Sequence, residues 1–171
     1  MIFLTGGARS GKSTLAVEMA GESGSHVRYV ATALASDEEM KQRIAAHRQS
    51  RPGEWSVVEA PIALAEAVSN AEPDEYLIVD CVTLWVSNLM ADHDDETITG
   101  MVDAVAAILS DRRDAVVVSN EVGSGIVPMD PVGRRFRDLH GRANQKLAAA
   151  ADRSYLVVAG KTLELGTPGA G

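Results

Sequence analysis

Ile2-Phe3-Leu4-Thr5-Gly6-Gly7-Ala8-Arg9-Ser10-Gly11-Lys12-Ser13-Thr14-Leu15-Ala16-Val17 opens the chain and decides its fold. Gly6, Gly11, Lys12 and Ser13 match the phosphate-loop pattern G-x-x-x-x-G-K-[ST]. The flanks agree with it: a short apolar run before the glycines reads as a strand, and the segment from Thr14 to Met19 reads as a helix. A glycine turn leading into a helix is an anion site, because free backbone N–H groups and the helix dipole both favour negative charge there. Lys12 adds a point charge for the β- and γ-phosphates, and Ser13 a hydroxyl for Mg²⁺.

Working outward, strands and helices alternate. His26 to Thr32 reads as a strand, and Ser36 or Asp37 caps a helix to about Ser50 that Arg51-Pro52-Gly53 ends. Trp55 to Glu59 is a strand, and Pro61 opens a short helix to about Asn70. Tyr76-Leu77-Ile78-Val79-Asp80 and Ala115-Val116-Val117-Val118-Ser119 are the near-continuous apolar runs of parallel strands covered on both faces. Cys81 to Met90 is an apolar helix or turn, and Thr97 to Arg112 is helical. Val132 to Ala151 is a long helix with Phe136, Leu139, Ala143 and Leu147 on one face. Ser154 to Val158 and Thr162 to Leu165 form a hairpin about Gly160. This is a doubly wound α/β arrangement, a single P-loop NTPase-type domain over residues 1–165 with a flexible tail at 166–171.

Composition narrows the function. The chain has 171 residues, 46% of them hydrophobic, which suits one compact domain. A formal net charge of −8, with no basic run, argues against a nucleic-acid partner. Cys81 is the only cysteine, so no internal disulfide forms, in keeping with a reducing cytoplasm. The N-terminus enters the first strand without a charged leader, so no signal peptide is expected. No apolar run reaches the ~18 residues of a membrane span.

Three places outside the loop carry candidate chemistry. Asp80 closes a buried strand, where ligands of open α/β sheets gather, and is either the second Mg²⁺-coordinating acid or a cap for the next element. His47 shares a helical face with Met40 and Ile44, so it is either a core histidine or a nucleophile. Arg43, Arg48 and Arg51 around it would keep the ring neutral and hold phosphate oxygens. Asn120 and Glu121 open a glycine-containing loop and either touch substrate or fix a turn. Thr83 and Asn88 read as structural, Cys81 as packing, and His26, His93 and His140 lack the spacing of a metal site.

Assembled, these segments resemble the bifunctional adenosylcobinamide kinase / adenosylcobinamide-phosphate guanylyltransferase family. The resemblance runs from Gly6 to about Gly160 and rests on GGARSGKS (Gly6–Ser13), YVATA (Tyr29–Ala33), DEEMKQRIAAHRQSRP (Asp37–Pro52), W-x-x-x-E (Trp55 to Glu59), DCVTLWVSNL (Asp80–Leu89), NEVGSGIVP (Asn120–Pro128) and FRDLHGRANQKLAAAAD (Phe136–Asp152). It implies phosphorylation of adenosylcobinamide by ATP or GTP. It then implies transfer of GMP from GTP, through a guanylylated histidine, to adenosylcobinamide phosphate, and His47 stands where the family carries that histidine. Also implied are nucleotide contacts at Gly6, Gly7, Ala8, Arg9, Ser10, Gly11, Lys12 and Ser13, at Ala31, Thr32 and Ala33, at Arg48, Gln49, Ser50 and Arg51, and at Glu59 and Asp80. Lys12 is the expected catalytic partner of His47, and Ser13 and Asp80 the expected Mg²⁺ ligands, directly or through water. Trimers occur in the family, so a homo-oligomer is expected. Arg28 and the acidic stretch Asp92 to Glu96 match no family feature. The competing readings are a small-molecule kinase in which His47 is structural, and a nucleotide-dependent switch. The latter lacks an N-K-x-D base-specificity motif.

Overall fold

The computed structural model describes residues 1–35, 38, 41–42, 45 and 53–166. Among the described residues seven strands form one sheet: β1 (Ile2–Thr5), β2 (Val27–Ala31), β3 (Ser56–Glu59), β4 (Tyr76–Asp80), β5 (Ala115–Val118), β6 (Arg153–Val158) and β7 (Lys161–Leu165), in the order β3-β2-β4-β5-β1-β6-β7. All neighbours are parallel except β6 and β7. Fully described helices are α1 (Lys12–Glu22), α2 (Leu64–Ser69), α3 (Val82–Leu89), α4 (Asp95–Ser110) and α5 (Pro131–Ala150). The strand expected from Trp55 begins at Ser56, and the helix expected from Pro61 begins at Leu64. The helix expected between Asp37 and Ser50, with its Met40–Ile44–His47 stripe, lies largely outside the described residues, as does the tail 167–171.

Strand alternation divides the core in two. Phe3, Leu77, Val79, Ala115 and Val117 face one way, against Leu64 and Val68 of α2, Trp85 and Leu89 of α3, Val102 and Leu109 of α4, and Leu139 and Leu147 of α5. Leu4, Tyr29, Ile78, Val116 and Val118 face the other way, against Ala16 and Ala20 of α1. The two alanines let α1 approach the sheet closely. Trp85 is fully buried, and its indole N–H donates to Ile62 O at 2.9 Å, so its polar end is satisfied where its ring is desolvated. Arg28 places its charge on Glu75 at 2.6 Å, which explains a cation in an otherwise apolar strand.

Helix starts follow local chemistry. Asp94 accepts Thr97 N–H at 2.8 Å, so the helix expected from Thr97 begins earlier, at Asp95. Asp130 accepts Gly133 N–H at 2.6 Å and is followed by Pro131 at the first helical position of α5. The β6–β7 turn is two residues long, with Ala159 (φ 50°) and Gly160 (φ 74°) both left-handed, the geometry that matches strand twist in tight hairpins. Gly160 N–H donates to Ser10 O at 2.9 Å, so this hairpin braces the loop that follows β1.

Candidate active site

The loop between β1 and α1 lies at the carboxyl ends of the parallel strands. Gly6 adopts φ 148°, and a Cβ there would sit 2.2 Å from Val157 O, so only glycine fits beneath β6. Gly11 (φ 102°) is the N-cap of α1 and offers no side chain to the first-turn amides. Between them, Gly7, Ala8 and Arg9 are exposed, Gly6 and Ser10 buried, and Arg9 is left-handed at φ 56°. Lys12 is buried, and its ammonium donates to Gly6 O at 2.9 Å, Gly7 O at 2.7 Å and Ser10 Oγ at 3.3 Å. Burial draws its pKa below the ordinary lysine range, opposed by the nearby acidic groups of Cys81 and Asp80. Ser13 is half-buried in the first turn of α1. Thr5 Oγ1, buried at the base of the loop, has no hydrogen-bond partner among the described residues.

Register brings the tips of the neighbouring strands level. Glu59 pairs with Ala31, Ala31 with Asp80, Asp80 with Val118, and Val118 with Leu4. Four of the expected positions therefore share one edge with the loop: Glu59, exposed, with Ala31, Thr32 and Asp80 beside it. Asp80 lies on the α1 face of β4, the side of Ile78, and accepts a hydrogen bond from the buried Tyr29 hydroxyl. Thr32 is fully buried, and its hydroxyl donates to Cys81 O at 2.7 Å and accepts Cys81 N–H at 2.9 Å, lacing β2 to the end of β4. Asn88 extends the lacing by donating to Thr32 O at 2.8 Å and Pro61 O at 3.0 Å. Burial pushes the Cys81 thiol up to about 11, which leaves it inert at neutral pH. His47, Arg48, Gln49, Ser50 and Arg51 lie outside the described residues.

A second polar group stands on the opposite face of the same edge. His140 of α5 is 1% exposed, and its Nε2 lies 3.1 Å from Thr83 Oγ1 and 3.0 Å from Ser119 Oγ. Ser119 gives its own proton to Asn144 Oδ1 at 2.6 Å, so toward His140 it is an acceptor and the ring is protonated on Nε2. Burial takes His140 down to about 4, against an opposing pull from Glu121, and the ring is neutral at pH 7. Phe136 stacks on it at 5.5 Å. Thr83 has this second task beyond a helix-start position, and His140, unremarkable by metal-ligand spacing, is the centre of a buried network. The signal was available: His140 and Asn144 are four apart on the apolar face of α5, where polar residues require partners.

Sheet order, glycine loop, helix N-terminus and the acid on a nearby strand tip define a P-loop protein of the nucleoside-triphosphatase type. The fold is similar to the assembled EscN ATPase of the enteropathogenic Escherichia coli type III secretion system. Its TM-score is 0.57 at 14% identity, over 92% of this chain and 42% of that one. The family model described as cobinamide kinase / cobinamide phosphate guanyltransferase matches residues 2–165, and the chain belongs to that family. It is 43% identical over 164 residues to the bifunctional adenosylcobalamin biosynthesis protein CobP of Pseudomonas aeruginosa, covering 95% of both chains. It is also 43% identical over 175 residues to the bifunctional adenosylcobalamin biosynthesis protein CobU of E. coli K12, covering 94% of this chain and 96% of that one.

Proposed function

We propose that this protein carries out two successive transfers on a corrinoid: phosphorylation of the aminopropanol hydroxyl of adenosylcobinamide by ATP or GTP, then conversion of the phosphate to adenosylcobinamide-GDP. The observation that carries the reading is the meeting of Lys12 and Asp80 at one sheet edge in a chain that aligns along nearly its whole length with relatives named bifunctional. Nucleotide phosphates lie along residues 6–13, where Lys12 and the α1 amides neutralise charge that spreads over the transferred phosphoryl group. Ala31, Thr32, Ala33 and Glu59 border the nucleotide on the β2–β3 side, and Arg48, Gln49, Ser50 and Arg51 complete its contacts.

Ser13 and Asp80 are hard oxygen donors on one edge, a set that suits Mg²⁺ with most of its ligands supplied by water and phosphate. Held by Ser13 and Asp80, Mg²⁺ would supply positive charge that offsets the charge of the phosphates. Tyr29 holds the Asp80 carboxylate in orientation, as partners of metal ligands do.

In the second transfer a ring nitrogen of His47 attacks the α-phosphorus of GTP, the α–β phosphoanhydride bond breaks, and pyrophosphate leaves. A phosphate oxygen of adenosylcobinamide phosphate then attacks the same phosphorus and breaks the N–P bond, freeing the histidine. The reading places the enzyme in the cytoplasm as a homo-oligomer. Among the described residues no helix is long and apolar enough to cross a membrane.

Incubation with α-labelled GTP tests the second transfer. The expected result is an acid-labile label on the protein that chases into corrinoid and is absent in His47→Ala. An unlabelled wild type that still phosphorylates adenosylcobinamide would reduce the protein to a kinase.

A further inference from the structure

Asn120 follows β5, the strand between the loop-bearing β1 and the Asp80-bearing β4. Its main chain is held from every side. Ser119 N–H donates to Leu4 O and Glu121 N–H to Gly6 O, each at 2.9 Å, so the parallel ladder with β1 continues past the end of the strand. Asn120 N–H donates to Thr83 Oγ1 at 2.8 Å, and Asn120 O accepts from Asn144 Nδ2 at 2.9 Å. Those two clamps belong to the buried network of His140, Ser119, Thr83 and Asn144.

Alternation then assigns the side chain. Val117 and Ser119 face α5, and Val116 and Val118 face α1, so Asn120 falls on the α1 face. That is the face of Lys12 and Asp80. A buried polar network satisfied on one side of the sheet holds a residue whose carboxamide, half-buried on the other side, makes no hydrogen bond among the described residues. Two hydrogen bonds on Asn120 itself and one on each of its neighbours, Ser119 and Glu121, fix the main chain here.

We propose that the carboxamide of Asn120 reads the terminal phosphate of a nucleoside triphosphate seated on residues 6–13, and that Thr83, as the donor-accepting end of the His140 network, is its positioning residue. The amide N–H₂ is the donor, aimed from between the two strands that carry the loop and the acid. This rests on the nucleotide site proposed above, and extends it to a group that distinguishes tri- from diphosphate.

The test is the affinity of the full chain for β,γ-imido-GTP and for GDP, both with Mg²⁺, measured by calorimetry. A hydrogen bond to a charged oxygen corresponds to roughly ten- to a hundredfold. Asn120→Ala is therefore expected to lose about that much affinity for the triphosphate analogue, with GDP binding and the melting temperature unchanged. Thr83→Val shifts the same ratio in the same direction, Thr83→Ser restores it, and Thr83→Val added to Asn120→Ala changes the ratio no further. Equal weakening of both nucleotides, an unaltered ratio in Asn120→Ala, or additive losses in the double variant would overturn the inference while leaving the nucleotide site standing. A wild type that binds neither nucleotide would overturn the site and the inference together.

Discussion

The phosphate loop and the His140 network occupy the two faces of one strand edge, and they are made differently. The loop is a contiguous run that presents backbone amides and one lysine, shaped by Gly6 and Gly11 in conformations that side chains resist. The network draws Thr83, Ser119, His140 and Asn144 from two helices and a strand end, and presents no group of its own to the α1 face. They meet at Asn120 and Glu121, where one side holds the main chain and the other accepts it. The contrast teaches that an anion site can be written locally in backbone, whereas aiming a single side chain into it requires buried partners from remote parts of the chain.

Three substitutions sharpen that contrast, beginning with the loop. Gly6→Ala drives a Cβ into the Val157 carbonyl, a backbone atom that no rotamer change can move. It should cost on the order of 4 kcal/mol of stability and abolish nucleotide binding, read by urea unfolding and by titration with GTP. Unchanged stability would mean that β6 does not brace the loop.

On the network side the expected effect is pH-dependent. His140 has a folded pKa of about 4 against an ordinary 6.5, so between those values the unfolded chain binds more protons than the folded one. Its stability contribution is whole above pH 6.5 and is lost as pH falls through the folded value near 4. The full loss is about 3 kcal/mol, at roughly 1.4 kcal/mol per pKa unit. Unfolding free energies at pH 7 and pH 4.5 should fall more steeply in the wild type than in His140→Gln, which has no ring to protonate. Equal slopes would show that the ring is not the titrating group.

The smallest effect tests a local device away from both. Asp130→Ala removes the cap of α5 and should cost about 1 kcal/mol, seen as a small drop in melting temperature. The nucleotide affinity ratio should not move, because α5 reaches Asn120 through Asn144, well inside the helix.

Much of the architecture was readable along the chain. Tyr76–Asp80 and Ala115–Val118 are continuous apolar runs because both faces of a central parallel strand are covered, so their burial shows as composition. The hairpin about Gly160 was readable from its turn residue, whereas its packing on Ser10 was not. Helix starts moved by a few residues at Leu64 and Asp95, since caps and tertiary contacts decide ends that periodicity leaves loose. Tyr29 illustrates the other limit: nothing in its own segment announces that its hydroxyl ends on a carboxylate fifty-one positions away.

Residue order by itself determined the glycine loop, its lysine and the helix behind it, because those contacts are made by neighbours and by backbone, which every sequence position carries. It also determined which strands lie deep, because burial demands apolar side chains. Only the tertiary structure decided that Asp80 and Asn120 share a face with Lys12, and that His140, Ser119, Asn144 and Thr83 hold one another behind them. Those relations depend on strand register and on which helix covers which face, and both are settled by packing between residues that are distant in the chain.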